Sequence, residues 1–106
     1  MRWLIEVAEE DKEKCYDSLE KFKVEFDAEW EKAIKALPDF LTGVIKQMRV
    51  IAMIIPDDKG WIIAIPIKTP LLAKMIGGWK KKSQKQIEGI LKTDGIKVKN
   101  IKFIGD

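Results

Sequence analysis

The densest chemistry in the sequence is a run of cations beside an aromatic ring: Trp79, Lys80, Lys81 and Lys82, with Lys85 just beyond. Ammonium groups neutralise phosphates whatever the base, and an indole can stack on a nucleobase. The run is therefore a candidate for binding a nucleic-acid backbone. Lys68, Lys74, Lys92, Lys97, Lys99 and Lys102 extend the basic region. Arginine occurs only at positions 2 and 49. Lysine lacks arginine's bidentate fork for base edges, so RNA or single-stranded DNA held by its backbone fits better than a specific duplex sequence.

The remaining reactive groups are few. There is no histidine, one cysteine (Cys15) and two serines (Ser18 and Ser83). This excludes an imidazole base, Ser-His and Cys-His nucleophiles, His-ligated metals and an internal disulfide. Cys15 reads as a small apolar filler on a helix. Carboxylates are left as the hard-metal or acid/base candidates: Glu9, Glu10, Asp11 and Glu13, then Asp57 and Asp58, with Glu6 near the end of the first strand. A metal-dependent nuclease would have to draw on Glu6, Glu9 or Asp57. Each has a simpler reading, because anions complement a helix start and aspartate suits a turn. No catalytic residue, metal ligand or cofactor is therefore expected. Gly77-Gly78-Trp79-Lys80-Lys81-Lys82-Ser83 lacks the spacing of a phosphate loop and lies within a helical pattern.

Hydrophobic periodicity shows which elements carry these groups. The chain has 106 residues, 46% hydrophobic and 35% charged, which predicts a single α+β domain over 1–106. Arg2–Val7 is dense in β-formers and reads as a strand. Cys15, Leu19, Phe22, Phe26, Trp30, Ala33 and Leu37 recur at steps of three or four, one face of a long helix over Glu9–Leu37 that Pro38 closes. Phe40, Leu41, Val44, Ile45 and Met48 predict a short second helix over 39–48, capped by Asp39 and weakened by Gly43. A loop feeding a longer strand is the alternative there. Arg49–Ile55 and Trp61–Ile67 read as strands joined by the link Pro56–Gly60. Thr69-Pro70 opens a further helix, interrupted at Gly77-Gly78 and ended by Asp94-Gly95. A last strand over Ile96–Ile104 changes phase at Lys99-Asn100, the mark of a bulge. The order strand, helix, strand, strand, helix, strand predicts a ferredoxin-like βαββαβ sandwich: a four-stranded antiparallel sheet with both helices on one face and a long first helical region.

Such a sheet leaves its second face open, and an open face should be polar. Here Val50, Ala52 and Ile54 point one way and Ile51, Met53 and Ile55 the other. Trp61, Ile63, Ile65 and Ile67 oppose Ile62, Ala64 and Pro66. Both directions are apolar, so the free face is expected to exceed the few hundred Å² that soluble monomers tolerate. Its cover could be residues 40–48, a second copy packed by face or edge, or an apolar ligand or other partner. The leading expectation is a small non-catalytic binding or assembly protein. It self-associates, most simply as a homodimer, through Ile51, Met53, Ile55, Ile62, Ala64 and Trp61. Nucleic-acid binding through Trp79, Lys80, Lys81, Lys82 and Lys85 is the alternative, and the nuclease is the third class.

Charge is uneven along the chain. Residues 1–39 carry 7 basic and 12 acidic side chains, a balance of −5, and residues 40–106 carry 13 and 5, a balance of +8. The acidic first helix would lie beside the basic second one and neutralise it in part. Lys59-Gly60-Trp61 resembles the opening of the RNP1 segment of RNA-recognition motifs, with Trp3 near the aromatic position of the first strand. Ile62, Ile63 and Pro66 stand where that pattern has a small residue and stacking aromatics, so base stacking is not implied. No apolar run is long enough to span a membrane, and the short N-terminal run is unlike a signal peptide, so a cytoplasmic protein is expected. The abundance of lysine, isoleucine and glutamate and the scarcity of amides match a thermophile's bias.

Overall fold

Side chains that alternate along Arg2–Val7 make that segment the centre of a sheet. Trp3, Ile5 and Val7 are buried on one side, while Arg2, Leu4 and Glu6 face the other. The computed structural model of the chain describes residues 1–36, 38–40, 51–66 and 79–105. It is an α+β architecture with one four-stranded antiparallel sheet, ordered β2-β3-β1-β4. The strands are β1 (Arg2–Val7), β2 (Met53–Asp57), β3 (Gly60–Ala64) and β4 (Val98–Gly105). A short 3-10 turn, Glu9–Asp11, leads into the long first helix α1 (Lys12–Lys35), and α2 (Trp79–Thr93) precedes β4. The helix expected over 39–48, apart from Asp39 and Phe40, and the stretch Thr69–Gly78 of the later helix lie outside the described residues.

Both helices pack on the Trp3 side of the sheet. The α1 stripe Cys15, Leu19, Phe22, Phe26 and Trp30 is buried, as its spacing predicts, together with Ile87 and Leu91 of α2 and Ile63 of β3. Phe26 and Trp30, one helical turn apart on the same face of α1, stack with their ring planes 14° apart. The two helices run antiparallel and are tied at both ends. Ser18 Oγ donates to Asp94 Oδ2 at 2.6 Å, Lys21 Nζ lies 3.1 Å from the same oxygen, and Lys82 Nζ lies 2.7 Å from Glu29 Oε2. Glu9, Glu10 and Asp11 sit at the positive end of the α1 dipole.

The end of α2 is a Schellman motif. Ile96 N–H donates to Leu91 O at 3.0 Å and Gly95 N–H to Lys92 O at 3.1 Å. Gly95 has φ 72°, the left-handed conformation that glycine adopts most cheaply. Ile96 then packs into the core with Leu91, which fixes the entry to β4.

The β2–β3 connection is tighter than the five-residue link expected. Pairing continues through Pro56↔Trp61 and Asp57↔Gly60, so only Asp58 and Lys59 form the turn. Pro56 is tolerated because β2 is an edge strand and needs no N–H outward. Asp57 Oδ2 accepts from Lys59 N–H at 3.0 Å, an Asx turn that closes the hairpin. At Gly60 a Cβ would overlap the Ile5 carbonyl oxygen and stand 3.1 Å from its carbon. Only a residue without a side chain lets β3 approach β1 there. The predicted phase slip in β4 is also present: Glu6 pairs with Asn100 and Val7 with Val98, which leaves Lys99 as the extra residue.

Candidate functional site: the open sheet face and the lysine helix

The strand register lays the second face of the sheet out in rows. One row is Met53, Ala64 and Arg2, and the next is Ile55, Ile62, Leu4 and Lys102. The third is Asp57, Gly60, Glu6 and Asn100. Neighbours in a row are about 4.8 Å apart and rows about 6.6 Å apart. Among the described residues, no helix or strand packs on this face. Met53 is 44% exposed, Ile55 40% and Ile51, two residues before Met53, 37%. Ile62 and Leu4 are half-buried between their strand neighbours, and Ala64 is buried.

Five of the six residues named for self-association therefore share this side by register or alternation: Ile51, Met53, Ile55, Ile62 and Ala64. Trp61 does not. It pairs with Ile5 on the helix-covered face, donates from Nε1 to Lys12 O at 2.9 Å and packs on Tyr16 with centroids 5.0 Å apart. The half-buried indole N–H finds its acceptor in the first turn of α1. Trp3 is fully buried on the same face, where its Nε1 donates to Gln84 Oε1 at 3.3 Å and its ring meets Phe103 edge-on. Neither tryptophan stands on the open face, where a stacking base would lie. Alternation along β1 already separates Leu4 and Glu6 from Trp3 and Ile5, and that alternation is the signal that adds Leu4 and Glu6 to the open face.

The edges of the sheet are guarded. Pro56 interrupts the donors of the β2 edge, while β4 carries Lys99 in its bulge and Lys102, after Lys97. Both devices oppose strand addition from another chain. Across the face itself, the cations Arg2 and Lys102 lie in the first two rows and the anions Asp57 and Glu6 in the third. Lys59 Nζ is 3.9 Å from Glu6 Oε1, an exposed pair worth little in water.

The lysines of α2 do not form a single surface. Successive helix positions turn by 100°, so Lys80, Lys81 and Lys82 fan around the helix. Lys80 Nζ sits 3.9 Å above the Phe103 ring, a cation–π contact, and Lys82 pairs with Glu29. That pairing holds the Glu29 carboxyl below its ordinary pKa, mainly through the hydrogen bond from Lys82. Lys81, Lys85 and Lys92 are exposed at helical spacing, with Glu88 between them. Trp79 opens α2, and its side chain lies outside what is described.

The carboxylates are not gathered. Among the described residues, no three Asp, Glu, Cys or His side chains are grouped to hold a metal ion. Glu6 and Asp57 flank Gly60 in one row, about two strand spacings apart, and Glu9 is in the turn before α1. Burial, and secondarily the Asp11 charge, pushes the Cys15 thiol up to about 11, far from a nucleophile's range.

Comparison with protein-family models, curated proteins and solved structures finds no match to this chain. Among the described residues, no helix is long and apolar enough to cross a membrane.

Proposed function

We propose that the chain is a ferredoxin-like assembly module that pairs with a second copy through the open face of its sheet. The ferredoxin-like reading is supported by the strand order β2-β3-β1-β4 and by two antiparallel helices on one face. The observation that carries the assembly reading is the exposed line of Ile51, Met53 and Ile55 along one edge of the sheet, continuous with Leu4 and Ile62, on a side that no described element covers. An apolar surface of this kind gains free energy when it leaves water. Guarded edges favour contact through the face over strand addition.

The test is sedimentation across the micromolar range. The expected result is a concentration-dependent dimer that Met53→Lys and Ile55→Lys each weaken about tenfold or more, since an ammonium group would be desolvated at the contact. Circular dichroism should be unchanged, because both positions are exposed. A wild-type chain that stays monomeric throughout that range removes the reading.

The stripe Lys81, Lys85 and Lys92 favours a second reading, binding of RNA or single-stranded DNA by its phosphates. Such binding should weaken steeply with salt, and Lys81→Glu with Lys85→Glu should abolish it. Oligonucleotides that cause no mobility shift at low salt would end this reading.

A further inference from the structure

We infer that the outer edge of β4 accepts an extended acidic peptide from another protein, which adds to the sheet as a further strand. This edge is distinct from the assembly face, and the inference does not rest on that reading. The main chain comes first. β4 runs for eight residues, Val98–Gly105, at the end of the order β2-β3-β1-β4. Among the described residues, no strand pairs with its outer side. Its register with β1 is continuous from Asn100 to Phe103, so the outward N–H and C=O groups of that stretch are regularly spaced to receive another strand.

Beside this edge lies a hollow of about 390 Å³ between α2 and β4, lined by Glu88, Leu91, Lys92, Ile96, Val98 and Ile101 with Gly95. Neither β1 nor α1 contributes to it, so it opens at the outer margin of the sheet. Val98 and Ile101 pair with Val7 and Ile5 and share their helix-covered side. Every second side chain of an added strand points to that same side, into the hollow. The hollow therefore takes aliphatic side chains at alternate positions. The side chains between them fall on the other side, next to Lys102.

Charge names the occupant. Lys92, Lys97, Lys99 and Lys102 are exposed around the edge. Glu88 is the one carboxylate lining the hollow, and its Oε1 already accepts from Gln84 Nε2 at 3.2 Å. The lysines that turn away a second copy's β4, which carries the same charges, complement a strand rich in carboxylates. Residues 41–50 and 67–78 contain no aspartate or glutamate, so a strand of that kind comes from another molecule. A polynucleotide would use the lysines alone. An acidic peptide with alternating aliphatic residues uses the lysines, the hollow and the open main chain together.

The probe is a capped eight-residue peptide alternating valine and glutamate, titrated into the full chain and followed by amide NMR. The expected result is a set of shifts centred on β4, with slowed hydrogen exchange at its outward amides. Lys99→Glu combined with Lys102→Glu should weaken binding about tenfold or more. A peptide with serine for valine, or with lysine for glutamate, should lose as much. Both lysines are exposed, and circular dichroism confirms folding of the variant. If millimolar peptide protects no β4 amide, or if the charge-reversed variant binds it equally well, the inference is wrong. A uridine oligonucleotide that shifts these amides where the peptide does not would overturn it in favour of phosphate binding. Sedimentation reads the assembly face separately, so either idea can fail while the other stands.

Discussion

Replacing Gly60 by alanine is the sharpest test of how β3 meets β1. The added methyl would overlap the Ile5 carbonyl oxygen and stand 3.1 Å from the Ile5 carbonyl carbon and 3.3 Å from the Val7 nitrogen. Favourable carbon contacts begin at about 3.5 Å. The obstructing atoms are backbone atoms of the central strand and cannot rotate away. β3 must retreat, which loosens the Glu6↔Gly60 pair and the Asp57↔Gly60 closure of the hairpin. Overpacking costs about 1–3 kcal/mol, and a lost ladder hydrogen bond about 1 kcal/mol more. A total near 3 kcal/mol is a large share of the roughly 5–15 kcal/mol that holds a domain folded. It should lower Tm by about 12 °C or more. Gly89 is the internal control. It lies in α2, where an added methyl would meet nothing within 4 Å, so Gly89→Ala should raise stability by about 0.5–1 kcal/mol. Urea unfolding followed by tryptophan fluorescence measures both. A Gly60→Ala protein within about 0.5 kcal/mol of wild type would refute the close approach.

Three further outcomes follow from polar groups in or near the core. The Asp94 carboxyl is held below its ordinary pKa first by the Ser18 hydroxyl and then by Lys21, so its stabilisation is present above the usual aspartate range and is lost as pH falls through the lowered value. Ser18→Ala should move the Asp94 titration upward by NMR and flatten the acid limb of the stability profile; an unmoved titration contradicts the bond. Cys15, fully buried and with its thiol pushed up to about 11, should resist a thiol reagent at pH 8 in the native protein and react at once in urea, whereas fast native labelling would show that α1 opens. Among the described residues, Ser83 Oγ is buried without a hydrogen-bond partner, so Ser83→Ala should be neutral or stabilising by up to about 1 kcal/mol in denaturant titration, and a clear loss would reveal a partner.

The legible parts of the fold were those with a short repeat. The Cys15–Trp30 stripe shows itself because helical period and burial coincide, and Asp94-Gly95 marks the end of α2 because glycine adopts that φ most cheaply. The slip at Lys99 could be read from a break in alternation. The hairpin turn is shorter than composition suggests, because Pro56 and Asp57 are turn formers by type yet pair as strand residues. Their pairing depends on β2 being an edge, a fact of sheet order and not of local sequence. Trp61 and Ile62 are both apolar, so residue type alone does not show that they face opposite sides of the sheet. Which side receives the helices is decided by β1, whose tryptophan and isoleucine outweigh its arginine, leucine and glutamate. The tie between Ser18 and Asp94 joins residues 76 positions apart, and nothing local to either announces it.

The central place of β1 also governs the order in which this chain can fold. Its two neighbours in the sheet are β3 and β4, which begin at Gly60 and Val98. β1 thus has no partner until more than fifty further residues have been made, and its second flank stays open until about ninety have. Trp3, Ile5 and Val7 must wait, greasy and unpaired, until those residues have emerged. Long-range closure of this kind slows folding, and the waiting strand is the segment on which a chaperone would act.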